Sequence, residues 1–375
     1  MGGQTKGRNG QRRPRGRDQL ADAPTSASPE EAPEEDAPFW SDLHSPKFWA
    51  IIELLRPFTL LAPLIGGLSA ALIAFRISGG TGVVLQSDPS LPLIPYRLAG
   101  VGVDLNIISL VMGVSTLVMI NAASNSINQV YDLRIDRINK PYRPIPSGRV
   151  TTGEARTVAM VLYFAVLWRA TLFRGAFGSL VLVLVIVSYL YSAPPVRFKK
   201  RLWGNNLSIA YARGLVGFLA GYAILAGEAS ITPLFPVVEN PTPWAIGVIM
   251  GVFLIGATTT KDYADIEGDR RFGMRTLPVH YGPIRASYLS LPFFILPFLL
   301  LIVAVQLEYL IPQTLYLLPL QAWALYAWWL GNRHLRSLRG GSLIGLENSP
   351  AWVHMYLVLI ALQIGFATIY WVFPT

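Results

Sequence analysis

The sequence predicts an all-α, polytopic membrane protein of about nine helices, and three observations carry that expectation. Of its 375 residues, 52% are hydrophobic and 14% charged, against roughly 45–50% and about 25% in soluble domains. The apolar residues are gathered in blocks of about twenty, the length a helix needs to cross ~30 Å of hydrocarbon. Most blocks lack the polar face of a soluble amphipathic helix. The formal net charge is +9, yet Lys and Arg fall in short loops between the blocks, as the positive-inside rule requires and as a nucleic-acid surface does not. No nucleic-acid partner is therefore expected. The absence of cysteine excludes thiol chemistry and disulfides.

Residues 1–45 read as a disordered cytoplasmic tail. They are rich in Gly, Arg, Pro, Ser and Glu, basic first (Arg12, Arg13, Arg15, Arg17) and then acidic (Glu30, Glu31, Glu34, Glu35, Asp36). No apolar core follows the arginines, so no secretory signal is expected, and the acidic content argues against a transit peptide. The membrane domain is expected over 46–375. Phe48–Leu55 reads as a short interfacial helix anchored by Trp49, ended by the Arg56-Pro57 step.

The expected spans are 58–76, 106–130, 154–172, 175–192, 206–226, 243–262, 285–305, 310–331 and 352–373. Thr151 and Glu154 have the spacing of a capping box at the start of the third. The loops after spans two, four, six and eight hold most of the basic residues, including Arg134, Arg137, Lys140, Arg143, Arg197, Lys199, Lys200, Arg270, Arg271 and Arg333. That asymmetry places the N-terminus and these loops in the cytoplasm.

Two polar clusters close spans two and six. Asn121, Asn125, Asn128, Asp132 and Asp136 follow at steps of four, three, four and four, which puts them on one helical face. Asp262, Asp265 and Asp269, with Lys261 before them and Glu267 among them, share a face if their helix continues that far. Charged groups near membrane depth cost about 2.5–3.5 kcal/mol each on insertion scales, and aligned carboxylates repel. Two such stripes at one membrane side call for a shared counter-charge. Mg²⁺ with oxygen ligands, completed by substrate phosphates, meets that need. Arg143, Arg197, Lys199, Lys261, Arg270 and Arg271 stand nearby as phosphate-binding candidates. Arg213, inside span five, needs either a diphosphate or an aspartate. Solvated interface carboxylates, or a proton or cation relay, are the competing readings of these acids. His44, His280, His334 and His354 show no ligand spacing.

These residues resemble the UbiA superfamily of intramembrane prenyltransferases. The resemblance runs from about Arg56 to the C-terminus. It is strongest in Asn128-x-x-x-Asp132-x-x-x-Asp136, in the Asn139-to-Gly148 loop (Asn-Lys-Pro-Tyr-Arg-Pro-Ile-Pro-Ser-Gly), and in Lys261-Asp-Tyr-Ala-Asp-Ile-Glu-Gly-Asp-Arg270. Gln129 departs from it, since many members carry Asp there. The resemblance implies a helix bundle around a central cavity. It implies one Mg²⁺ on Asn128, Asp132 and Asp136, and a second on Asp265 and Asp269 with Asp262 close by. Asn125, Arg143, Arg197, Lys199, Arg213 and Arg270 are then substrate-binding candidates, and Asp132, Asp136, Asp265, Asp269 and Lys261 catalytic ones. The implied reaction is Mg²⁺-dependent transfer of a prenyl group from a prenyl diphosphate to a lipophilic acceptor. The acceptor is a chlorophyllide-like, glyceryl phosphate or aromatic quinone-precursor molecule. The alternative is a non-catalytic transporter or lipid-binding membrane protein. The motifs fix neither prenyl length nor oligomeric state.

Overall fold

A computed structural model describes residues 45–78, 83–84, 105–173, 176–226, 240–337 and 349–373. The expected N-terminal tail lies outside the described residues except for Ser45. Apart from a parallel pairing of Val83–Val84 with Leu105–Asn106, the elements among the described residues are helical.

Helix α1 (Pro46–Leu55) opens with Ser45 as N-cap, its Oγ accepting from Phe48 N at 3.1 Å. Trp49 is 61% exposed, while Ala50 and Leu54 are buried against Ile145, Val150 and Ala155. This one-sided burial suits a helix lying at an interface. The Arg56-Pro57 step breaks the chain as expected: Arg56 takes a left-handed conformation at φ 58°. Helix α2 (Pro57–Ile77) then begins with proline in its first turn.

Pro63 inside α2 has no N–H, so it frees the Thr59 carbonyl. Asn121 of α3 (Ile107–Asn139) supplies the missing donor at 2.9 Å. The Tyr356 hydroxyl, from α14 (Pro350–Val372), enters the ladder one residue away. It donates to Phe58 O at 3.0 Å and accepts from Ala62 N at 2.8 Å. Freed backbone groups at membrane depth need such partners, because lipid offers none.

The α3 helix has 33 residues and is therefore about 50 Å long, well beyond the ~30 Å hydrocarbon core. It continues nine residues past the expected end of span two, and Asp132 and Asp136 stand on that extension. Helix α4 (Thr152–Ala170) starts with the expected capping box: Glu154 N donates to Thr151 Oγ1 at 3.2 Å and Thr151 N to Glu154 Oε2 at 2.9 Å. Lys47 of α1 pairs with the same Glu154.

Next come α5 (Ala176–Ser192), α6 (Gly204–Ile209), a π-helical turn (Ala210–Val216) and α7 (Gly217–Ala223). Helix α8 (Pro241–Asp262) is capped by Asn240. A 3-10 turn (Tyr263–Asp265) leads to α9 (Ile266–Arg271), then α10 (Leu277–Tyr281), α11 (Pro283–Ser290), α12 (Leu296–Gln306), α13 (Leu320–Ser337) and α14.

Each expected span contains helix, and among the described residues five stretches are both long and apolar enough to cross a membrane: Pro57–Ile77, Ile107–Asn139, Pro241–Arg271, Pro283–Gln306 and Pro350–Val372. The shortfall from nine has local causes. Ala176–Ser192 is apolar but has 17 residues. Thr152–Ala170 carries Glu154, Arg156 and Arg169. The fifth range is interrupted by the π-helical turn, and the eighth begins as a 3-10 segment, Pro312–Leu317. The π-helical turn packs tightly on α8: a Cβ on Gly214 would sit 2.4 Å from Gly251 Cα.

Candidate active site

Helices α2, α3, α5, α8 and α14 and the π-helical turn surround a cavity of about 260 Å³. The aspartates and lysines gather at one polar end, and Leu117, Ile120, Met250, Phe253, Leu254 and Leu359 stand on the wall together with a few further polar side chains, Arg56, Asn121, Arg213 and Gln363 among them. Asn128, Asp132, Asp136, Asp262, Asp265 and Asp269 all line it, as do Asn125, Lys140, Arg143, Lys199, Arg213 and Lys261. The two clusters separated by more than a hundred residues in sequence thus share one space.

On α3 the polar face divides. Asn121 and Asn125 turn toward α2: Asn125 Nδ2 donates to Leu55 O at 2.8 Å and to Thr59 Oγ1 at 2.9 Å. Gln129 is buried, lies off the cavity lining and donates to Leu54 O at 2.7 Å. These amides hold the chain break between α1 and α2. Gln129 therefore serves the fold, and its departure from the family pattern leaves the cavity-facing acids in place.

Asp132 is held by Lys199 and, at 3.0 Å, by Arg197. Burial pushes the Lys199 ammonium below its ordinary pKa, and the Asp132 charge opposes the shift. The Asn128 carboxamide, turned to satisfy both ends, donates to Asp132 Oδ2 at 3.0 Å and accepts from Ser192 Oγ at 3.0 Å and Lys199 Nζ at 3.1 Å. Asp136 pairs with Arg143 at 2.9 Å. Arg197 differs from the expectation. It stands behind Asp132, also donating to Tyr131 O at 3.2 Å, and is absent from the cavity lining.

The second cluster does not lie on one straight helix. Helix α8 stops at Asp262, Asp265 ends the 3-10 turn, and Asp269 belongs to α9. Asn139, the last residue of α3, pins this bend by donating to Asp265 O at 3.0 Å and accepting from Gly268 N at 2.9 Å. A Cβ on Gly268 would meet Asn139 Nδ2 at 2.7 Å, so the contact requires glycine. Asp262 accepts from Asn205 Nδ2 at 2.6 Å, Asn205 accepts from the Tyr191 hydroxyl at 2.8 Å, and Lys261 donates to that hydroxyl at 3.0 Å. Lys140 pairs with Asp265 at 2.5 Å. Asp269 is buried and accepts a long 3.5 Å hydrogen bond from Thr276. Glu267 and Arg270 are exposed, and Arg270 is absent from the cavity lining.

Lys140, Asn139, Tyr191, Asn205 and Arg56 are site residues that spacing did not single out. Tyr191 and Asn205 carry no sequence signal, because only packing brings them to Asp262. His280, His334 and His354 do not line the cavity.

Among the described residues no group of three or more acidic or histidine side chains could by itself hold a metal ion. Mg²⁺ fits such a donor set nonetheless. It is bound through a few carboxylates, with waters and substrate phosphates completing the shell, rather than by an all-protein cage. The hard oxygens at the polar end, and a buried Asp269 with only a long neutral contact, match that chemistry.

The UbiA prenyltransferase family matches residues 91–339. The bacteriochlorophyll synthase 33 kDa chain of Rhodobacter capsulatus is 29% identical over 286 residues, 74% of this chain and 83% of that one. Chlorophyll synthase of Arabidopsis thaliana is 31% identical over 178 residues, 44% of this chain and 42% of that one. Digeranylgeranylglyceryl phosphate synthase of Methanothrix thermoacetophila is 30% identical, covering 53% and 66%. The chain thus spans most of the Rhodobacter protein and less than half of the plant one. Among solved structures, a UbiA homolog from Archaeoglobus fulgidus bound to DMAPP and Mg²⁺ superposes with a TM-score of 0.57 at 21% identity, over 85% of this chain and 99% of that one. The apo UbiA homolog from Aeropyrum pernix gives 0.55 at 20% identity, over 81% and 97%. These two likenesses concern the fold.

Proposed function

The chain belongs to the UbiA prenyltransferase family, and we propose that it transfers a prenyl group from a prenyl diphosphate to a lipophilic acceptor inside the cavity, with Mg²⁺. It is an integral membrane prenyltransferase. The observation that carries the finer reading is the meeting of two aspartate clusters at one end of a single cavity that also has an apolar wall. We read the bundle as nine crossings around this cavity, with the N-terminus and the polar end on the cytoplasmic side, because the basic residues concentrate in that set of loops.

Mg²⁺ held by Asn128, Asp132 and Asp136, and by Asp262, Asp265 and Asp269, would neutralise the diphosphate and stabilise it as a leaving anion. The chain's own residues do the rest. Lys140, Arg143, Lys199 and Lys261 each stand on an aspartate and exchange that partner for phosphate oxygens when substrate enters. Arg143 offers a planar fork, the lysines point charges. Asn205 and Tyr191 fix Asp262 and Lys261, and Arg197 fixes Asp132. The apolar wall holds the prenyl chain in line and keeps water from the allylic cation as the C1–oxygen bond breaks.

The test is to supply the purified chain with labelled geranylgeranyl diphosphate, Mg²⁺ and a panel of acceptors, and to identify products by mass spectrometry. Metal-dependent diphosphate release with a prenylated product supports the reading. No release with any acceptor, together with tracer uptake in vesicles, favours a transporter. Sidedness is checked with a cysteine at Ser147 in this cysteine-free chain. An impermeant thiol reagent should reach it only from the cytoplasmic face.

A further inference from the structure

Six cations line the cavity: Arg56, Lys140, Arg143, Lys199, Arg213 and Lys261. Four of them already pair with aspartates at the polar end. Arg213 does not. Among the described residues it makes no hydrogen bond or ion pair, and its electrostatic neighbours are the phenols Tyr356 and Tyr191. Its side chain is accessible but surrounded by protein, because it projects into the cavity.

The position of Arg213 is fixed. It sits on the π-helical turn, nine residues into the segment that starts at Gly204, or about 14 Å along the axis. Single π-helical turns recur at functional sites. The next residue, Gly214, abuts Gly251, where a Cβ would sit 2.4 Å from the Gly251 Cα. Tyr191, which holds Lys261, lies toward the carboxylates. Tyr356, inserted into α2, lies on the other side and also feels Arg56. Arg213 thus stands between the polar end and α2. Among the described residues, the only acids on the cavity wall are the five aspartates. A cation at membrane depth with no counter-charge in the protein points to one on a ligand.

We propose that Arg213 binds the acidic group, a carboxylate or a phosphate monoester, of the acceptor. This rests on the prenyl-transfer reading above and deepens it: the acceptor is an acid. The diphosphate has its own four cations at the polar end, and Arg213 lies deeper. In the transfer, the bond from C1 to diphosphate breaks, diphosphate leaves with the electron pair, and the acceptor nucleophile supplies the pair for the new bond to C1. When the anchored carboxylate is itself the nucleophile, an ester forms and no proton is released. When a hydroxyl attacks and a phosphate is the anchored acid, an ether forms and one proton is released.

The test uses the full chain in lipid nanodiscs and two probe pairs: chlorophyllide with its methyl ester, and geranylgeranylglyceryl phosphate with geranylgeranylglycerol. Binding is followed by tryptophan fluorescence, separately from turnover. The wild type should bind the acid of one pair at least tenfold more tightly than its neutral counterpart. Arg213→Gln should abolish that preference while changing geranylgeranyl diphosphate affinity less than twofold, and Arg213→Lys should keep part of it. The preferred pair, and an ester or ether product by mass, tells carboxylate from phosphate. Without ligand, Arg213→Gln should unfold no earlier than the wild type, because it removes an unpaired cation. No acid preference in the wild type, a preference surviving Arg213→Gln, selective loss of diphosphate affinity, or a variant that unfolds early or fails to fold would each overturn the proposal. Absence of diphosphate release by the wild type would instead overturn the prenyl-transfer reading, leaving the binding result to stand by itself.

Discussion

Asp132 and Asp136 stand on an uninterrupted helix, whereas Asp262, Asp265 and Asp269 are spread over a helix end, a 3-10 turn and a short second helix. Their means of support differ accordingly. The acids of α3 are held by cations from the segments that follow α3 and α5: Arg143, Arg197 and Lys199. A rigid helix already sets their spacing, and these cations, with the Asn128 amide on Asp132, aim them. The second set has no continuous helix beneath it. Its backbone is pinned by Asn139, and Asp262 is aimed by Asn205. Where the 3-10 turn interrupts the helix, hydrogen bonds from neutral amides with fixed geometry join the ion pairs of Lys140 and Lys261. Lys140 crosses between the sets to reach Asp265, so the last turn of α3 and its loop organise both.

The comparison breaks first if the two sets are unequal in catalysis. Asp132→Ala and Asp265→Ala should each lower turnover more than about 100-fold, since each removes an anionic oxygen that water cannot replace. Near-normal activity in either variant, with the protein folded in detergent, removes that set from the metal assignment.

Loss of a phosphate contact should come next. Arg143→Lys keeps the charge but not the fork, and Lys261→Ala removes a point charge. Each should weaken prenyl diphosphate dependence by about 1.5–3 kcal/mol, roughly 10–150-fold. Titrating prenyl diphosphate and Mg²⁺ separately at saturating acceptor checks this. An unchanged diphosphate dependence and maximal rate would leave both residues as structural ion-pair partners only.

The support itself separates the sets most directly. Asn139→Ala leaves Gly268 N and the Asp265 carbonyl without their partner, and should destabilise the protein by about 1–3 kcal/mol as well as slow it. Arg197→Ala should slow turnover about tenfold with little effect on stability, because Lys199 still holds Asp132. Thermal unfolding alongside rate would show it; equal stability losses would erase the distinction between a charged and a neutral scaffold.

The smallest effects lie outside the cavity. Thr151→Ala removes one half of the capping box and should cost about 0.5–2 kcal/mol of stability with unchanged substrate dependence. Arg270→Ala, exposed despite its place in the second motif, should stay within about twofold of wild-type turnover. A larger loss would return Arg270 to the substrate site.

The chain by itself determined what depends on local periodicity and solvent. Apolar blocks named the membrane, the capping box at Thr151 marked a helix start, and the i, i+4 spacing put Asn128, Asp132 and Asp136 on one face, because a helix enforces that geometry wherever it forms. The same rule put Asn125 on the cavity lining, where its amide also bonds the α1–α2 break, and left open whether the second helix continues past Asp262, where a 3-10 turn interrupts it. Tertiary structure alone decided that Pro63 and the Arg56 turn would leave carbonyls for Asn121, Asn125 and Gln129 to satisfy. It alone brought Tyr191 and Asn205 to Asp262, set Arg197 behind Asp132 and turned Arg270 outward. Those outcomes depend on which unpaired polar group lies opposite which donor once the helices pack. In a bilayer, where water cannot fill the gap, that pairing is settled by contacts between residues far apart in the chain.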